Sequence, residues 1–522
     1  MRSWLEAVLI APSVALGIGA VLFGCSLSNI SRSDCASDAE CVSAFGVGST
    51  CSKGFCTESS GCETGHDCRR LAGGGACVNH ACVARIPEDA CMRGDEPPEP
   101  PDLYTTSLTG KDAPLVIGSI FALESDRDKA LTQSVRLAVR EINQSGLPGG
   151  QKIGVVFCDN GGAQGATTGA ERDALDLHAT DYLAGTLGVP YIVGPRTSGD
   201  AIQVVNRIKK NGIPTAVIAP SATSPALTTI DDRLSASDPY GLFWRTCPND
   251  ELQGKVLAEN VIGLLPAITK VTVVYIHDAY GDGLAQVFQN VYGISKASLV
   301  PYDDTTPDDD AALAKLVADA DGKNGDAVLL ISHYGTTSLK VINAMAGLPI
   351  AGKPFFFTDG SMDASLLDPA QPTWIQDILK AAKGTAPASP SGQEYEVFKT
   401  NLNAEFGLDA TSASFLAHAY DATYVGAFGA VHAGKGGAFF DGRGVAEGMA
   451  RLSQGDPVRL NGVNGWTSGS GLLVQKGNID ILGTSGELHF DASTGEAPGR
   501  ILIWSIAPDL ASYNQDQIVS PD

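Results

Sequence analysis

Basic residues are scarce in this chain. Against 59 Asp and Glu there are 36 Lys and Arg, a formal charge of −23, and no run of five basic residues occurs. Phosphate contacts need a concentrated Lys/Arg face, so nucleic-acid binding is excluded as a function class. Cysteine is nearly missing from most of the sequence. Of 12 cysteines, only Cys158 and Cys247 lie beyond Cys91. Enzyme signatures are missing too: there is no G-x-S-x-G elbow and no H-E-x-x-H pair. GAVHAGKG (429–436) imitates a phosphate loop, but Gly436 stands where Ser or Thr is required, and the segment reads as a glycine helix stop. Cys158 and His277 form no local nucleophile–base pattern. After the N-terminus no run approaches the 18 apolar residues of a membrane span.

What is present begins with an apolar stretch, MRSWLEAVLIAPSVALGIGAVLFGC. Residues 1–24 read as a secretory signal, with an uncleaved transmembrane anchor as the alternative. Leu22-Phe23-Gly24-Cys25 resembles a bacterial lipoprotein box, which implies lipidation of Cys25, with Ser26 resembling the outer-membrane sorting preference. Phe23 departs from the small residue usual there.

Residues 25–91 hold an internal duplication. Cys35, Cys41, Cys51 and Cys56 are followed by Cys62, Cys68, Cys77 and Cys82 at nearly the same spacing. Each unit is too short to bury a core, so two disulfides per repeat are expected, with three pairings open in each. His66 and His80 raise a zinc reading, but the gaps do not match paired knuckles in a reduced compartment. Cys91, Cys158 and Cys247 leave one cysteine odd: Cys158 pairs with Cys91 or Cys247, or remains a buried thiol. DEPPEPPD marks a stiff linker across 92–112.

From residue 114 the pattern changes. PLVIGSIFAL, KIGVVFCD, YIVGP, PTAVIAP, KVTVVYIHD, DAVLLIS and KPFFFTD are short β-branched or aromatic runs separated by helix-length amphipathic segments. That alternation predicts doubly wound α/β sheets, and about 400 residues are too many for one, so two α/β lobes are expected. Ligands in such sheets bind beyond the carboxyl ends of the strands.

Those ends read IVGPRTSGDA, IAPSATSPAL, FWRTCPNDELQG, IHDAYGDGLA and FTDGSMDASL. With REINQSG near residue 140, the series resembles the type I periplasmic binding proteins of the branched-chain (Leu/Ile/Val) amino-acid family over residues 114–506. The resemblance implies two lobes joined by three crossings, 114–246 with 387–489 and 247–386 with 490–522. It implies no catalysis and no cofactor. Its implied partners are a small-molecule ligand, an amino acid or a derivative, and an ABC permease. By position, Ser198 and Thr223 hydroxyls with nearby N–H groups would hold a ligand carboxylate, and Ser221 would supply backbone contacts. Asp359 would meet an ammonium, and Tyr280 with His333 and Tyr334 would form aromatic walls. Taken singly, Ser198 and Thr223 are ordinary helix caps, Asp359 a turn residue and Tyr280 a packing residue.

Two local departures stand out. The loop ALESDRDKA after the first strand is short and charged, leaving Phe121 and Glu124 to shape the side-chain pocket. Arg196 stands two residues before Ser198, as an ion-pair partner or a contact for a second carboxylate. The rival reading is a ligand sensor or surface lipoprotein reusing this fold.

Overall fold

The computed structural model describes residues 35–37, 40–41, 50–57, 61–87, 91, 103, 105–110, 112–161, 169–388 and 392–520. Cys25 and its apolar leader lie outside them. Among the described residues no helix is long and apolar enough to cross a membrane.

The two cysteine repeats fall in different compact units, the second belonging with the rest of the chain. Each pairs its first cysteine with its third and its second with its fourth. The first repeat carries Cys35–Cys51 and Cys41–Cys56 around the hairpin β1 (Thr50–Ser52) and β2 (Phe55–Thr57). The second carries Cys62–Cys77 and Cys68–Cys82 around β3 (Ala76–Val78) and β4 (Ala81–Val83), plus a helix over Gly65–Ala72.

The second repeat is fused to the body rather than tethered. Ala76, Ile86, Cys91, Leu103 and Leu108 share one apolar cluster with Ile120, Tyr182 and Leu187. The helix Gly65–Ala72 meets the backbone at Leu187–Gly188 so closely that a Cβ on Gly65 would lie 2.3 Å from the Leu187 carbonyl carbon. His66 Nε2 hydrogen-bonds Thr215 Oγ1 at 3.0 Å, and burial pushes its pKa down to about 3. Cys91 pairs with Cys158, while Cys247 is a buried free thiol.

Lobe 1 is built on a parallel sheet in the order β6-β5-β7-β8-β9: β5 (Leu115–Phe121), β6 (Ile153–Asp159), β7 (Tyr191–Val193), β8 (Ala216–Ala219) and β9 (Phe243–Arg245). β6 and β8 are buried at every position, which is why they read as continuous apolar runs rather than alternating ones.

Lobe 2 holds β10 (Val271–Ile276), β11 (Ala297–Tyr302), β12 (Ala327–Ile331), β13 (Phe355–Phe357) and β14 (Lys383–Pro387) in the order β11-β10-β12-β13-β14. A small parallel pair in lobe 1 follows, β15 (Asp456–Arg459) and β16 (Ile479–Leu482). β17 (Ile501–Ile506) and β18 (Tyr513–Val519) then extend the lobe 2 sheet antiparallel. Phe490 and Ala497 still pack in the lobe 1 core, so the last crossing falls between Ala497 and Ile501, later than the sequence places it.

In both sheets the order reverses beside the first strand. A crevice opens at such a switch point, between the loops after β5 and β7 in lobe 1 and after β10 and β12 in lobe 2.

Candidate interlobe binding site

The two switch points face each other. The helix Ser198–Asn211 starts directly after β7, capped by Thr197, whose hydroxyl accepts from Asp200 N at 3.2 Å. Ser198 Oγ accepts the Ser224 N–H at 3.0 Å, tying this loop to the one after β8, and its own proton has no acceptor among the described residues. Ser221 Oγ donates to the Arg196 carbonyl at 2.9 Å. Thr223 Oγ1 donates to Asp250 Oδ2 at 3.0 Å, which commits its proton to that carboxyl. Burial raises the Asp250 carboxyl. Fully buried Arg245 shapes the same loop, donating to the carbonyls of Ala222 and Ser224 at 2.9 and 3.0 Å and pairing with Glu496.

Lobe 2 supplies the opposite wall. Asp278 caps the helix Ala279–Tyr292, accepting from Tyr280 N and Gly281 N at 3.0 and 2.8 Å. Its other oxygen contacts His333 Nε2 at 2.5 Å. Burial favours protonation of Asp278, but His333 and the helix N–H groups outweigh it and hold the pKa below the usual carboxylate range. The His333 and Tyr280 rings stack at 5.4 Å. Tyr280 Oη lies 2.8 Å from both Thr358 Oγ1 and Asp359 Oδ1. Asp359 Oδ1 also accepts from Gln253 Nε2 at 2.7 Å. Burial pushes the Asp359 carboxyl up while the Arg127 charge pulls it down, with burial prevailing. Gly360 is required beside it, because a Cβ there would stand 1.8 Å from the Ser332 carbonyl oxygen.

Two arginines of lobe 1 bridge the cleft. Arg196 pairs with Asp128 at 2.8 Å, donates to Tyr334 Oη at 2.6 Å and lies over that ring at 4.6 Å. Arg127 reaches the carbonyls of His333 and Gly360 at 3.0 and 2.6 Å. Arg172 pairs with Asp200 at 2.7 Å near the cleft mouth.

Ser198, Ser221, Tyr280, His333 and Asp359 line one inner cavity of about 10 Å³, together with Arg127 and Arg196. That is on the order of one water. Tyr334 and His333 line an adjoining interlobe cavity of about 560 Å³, with Arg172, Asp278 and Lys340 on its walls. Thr223 lines neither. Phe121 is fully buried in the lobe 1 core rather than in the cleft, because the last residue of β5 points into the sheet–helix interface. A further cavity of about 560 Å³ lies where the second repeat meets lobe 1, away from these strand ends. Arg127, Gln253 and Asp278 were not singled out from the sequence. Gln253 and Asp278 lie inside the strand-end motifs, and Arg127 inside the charged loop.

Residues 130–509 match the model of the receptor family ligand binding region. The chain is 32% identical over 174 residues to Leu/Ile/Val-binding protein homolog 3 of Brucella melitensis, covering 33% of this chain and 41% of that protein. It is 30% identical over 237 residues to the chemotactic signal transduction system substrate-binding protein BasB of Halobacterium salinarum, covering 45% and 52%. The chain thus spans about half or less of the length of these curated relatives. Among solved structures, the isoleucine-bound branched-chain amino-acid transporter substrate-binding protein LivJ of Streptococcus pneumoniae superposes with a TM-score of 0.57 at 22% identity, covering 78% of this chain and 100% of that one. The leucine-binding protein LivK of Thermotoga maritima gives 0.58 at 17%, covering 78% and 99%. A benzoate-bound solute-binding protein of an ABC transporter from R. palustris gives 0.57 at 16%, covering 78% and 97%. The likeness to these structures carries the fold, two α/β lobes about a cleft, and the relatives named are binding proteins. With its disulfide-rich N-terminal repeats, this chain belongs to the receptor family ligand binding region, as a type I periplasmic binding protein resembling the branched-chain amino-acid group.

Proposed function

We propose that this protein is an extracytoplasmic solute-binding protein, lipid-anchored through Cys25, that captures an amino acid or related small molecule between its lobes. The observation that carries this reading is that Ser198 and Ser221 of lobe 1 and Tyr280, His333 and Asp359 of lobe 2 line one cavity. A ligand held there touches both lobes, so its binding free energy favours closure. The inner cavity is smaller than an amino acid, so entry requires the lobes to part. Asp359, with one oxygen held by Gln253 and Tyr280, meets the ligand ammonium through the other. A buried cation needs such a paired anion. Delivery is to an ABC permease, the closed form being the one recognised.

The named relative in a chemotactic system favours a second reading, in which the same closure is passed to a sensor. Both readings share the capture step, which thermal unfolding of the full chain tests against a panel of amino acids, their amides and aromatic acids. A ligand at about 100 times its Kd adds roughly 2.7 kcal/mol of stability. A shift confined to one chemical class, and lost in Asp359→Ala, is the expected outcome. No shift with any member would contradict capture.

A further inference from the structure

We propose that Arg127 is the anchor for a ligand carboxylate, a role that rests on the binding-protein reading and names the ligand class of the same site. Arg127 stands in the first turn of the helix Asp126–Ser145 and is 6% exposed. Its terminal nitrogens donate to neutral oxygens only: the carbonyls of His333, Gly360 and Asp359 at 3.0, 2.6 and 3.2 Å, and Ser414 Oγ at 2.5 Å. The buried arginines around it are arranged differently. Arg196, Arg172 and Arg245 each hold a carboxylate, Asp128, Asp200 and Glu496 respectively. Among the described residues Arg127 has no carboxylate at ion-pair distance. The Asp359 carboxylate acts on it only through space, without direct contact, and an anionic ligand touching the guanidinium offsets the cost of its burial more fully.

The hydrogen-bonding capacity left over points the same way. Arg127 Nε is buried without a partner, and Arg127 lines the inner cavity beside Ser198. Ser198 Oγ accepts from Ser224 N and keeps its own proton to give. The protons of Ser221 and Thr223 go instead to the Arg196 carbonyl and to Asp250. Two donors, Nε–H and the Ser198 O–H, are therefore left for an anion on the lobe 1 side. Asp359 faces the same cavity from lobe 2. A ligand carrying a carboxylate and an amine leaves the site neutral, with the carboxylate on Arg127 and Ser198 and the amine on Asp359. With only one hydroxyl proton left, the charge-assisted contact from Arg127 supplies the stronger part of the carboxylate's hold. Because the same guanidinium grips the loops after β12 and β13, seating the carboxylate also fixes the group that holds the lobes together.

The test is titration calorimetry on the full chain with matched acid and amide probes: L-leucine and L-leucinamide, L-phenylalanine and its amide, benzoate and benzamide. In the wild type the acid of a binding pair is tighter than its amide by roughly 30-fold or more, the scale of one charge-assisted hydrogen bond. In Arg127→Gln the acid weakens and the amide changes little, bringing the ratio to about threefold or less. Arg127→Lys, which keeps the charge, retains an intermediate ratio and guards against a variant that merely fails to fold. A purely structural clasp weakens acid and amide alike and leaves the ratio intact, which would overturn the assignment. Amides binding the wild type as tightly as acids would also overturn it, with the binding reading still standing. If no probe binds, both fall together.

Discussion

Lobes 1 and 2 share a strand order, second-first-third-fourth-fifth, yet bring opposite chemistry to the cleft. Lobe 1 contributes Arg127, Arg196 and the Ser198 hydroxyl. Lobe 2 contributes the Asp359 carboxyl and the Tyr280–His333 stack. They also differ in how they are held. Lobe 1 carries the second cysteine repeat and the Cys91–Cys158 link, whereas lobe 2 is a broader sheet closed by the antiparallel strands β17 and β18. Equal topology therefore sets where a site lies, and the residues on a few loops set what it does.

The largest expected effect falls on the acid side of that contrast. Asp359→Ala removes the carboxylate for the ligand amine and costs about 3–5 kcal/mol of ligand binding, as for breaking a buried pair. Calorimetry with the tightest amino acid of the panel checks it; retained affinity would move the amine elsewhere. Next comes the staple of lobe 1. Cys91→Ser with Cys158→Ser opens a link spanning 67 residues and destabilises lobe 1 by about 2–4 kcal/mol. Hydrogen exchange should show faster opening of β5 and β6 with β10 and β12 unchanged.

A pH effect sharpens the comparison further. Folded His66 stays neutral down to about 3, whereas the unfolded side chain takes a proton near 6.5. Stability from this site is therefore present above 6.5 and is lost as pH falls through that window, by about 1.4 kcal/mol per unit. Urea unfolding of wild type and His66→Gln should converge on acidification with that slope; a constant difference would contradict it. The smallest effect is Tyr334→Phe, which takes away the hydroxyl that accepts from Arg196 but keeps the ring beneath it. A loss of about 0.5–1.5 kcal/mol in ligand affinity is expected, through weaker closure.

Much of this architecture is legible in the sequence. Buried parallel strands are short and apolar on both faces, so VLLI and FFF stand out from the helices between them. The strand-end motifs also locate the loops that line the cleft, because the chain order of a doubly wound sheet fixes which ends meet. What escapes is side-chain reach. An arginine in a helix's first turn reads as a solvated residue, and only the facing lobe makes Arg127 a buried bridge. Phe121 reads as a pocket residue, but which face of β5 it leaves by depends on sheet pairing. The Cys91–Cys158 link joins segments whose approach no local spacing encodes. Likewise His66, which suggests a metal by its neighbours, is instead packed against Thr215 of lobe 1.

The central claim is that one small ligand is gripped from both lobes at once. Hydrogen–deuterium exchange of the full chain, with and without the amino acid that shifts its unfolding most, tests this directly. Simultaneous protection of the loops after β7 and β8 in lobe 1 and after β12 and β13 in lobe 2 is the expected result. Protection confined to one lobe, or to the junction with the second cysteine repeat, would contradict it.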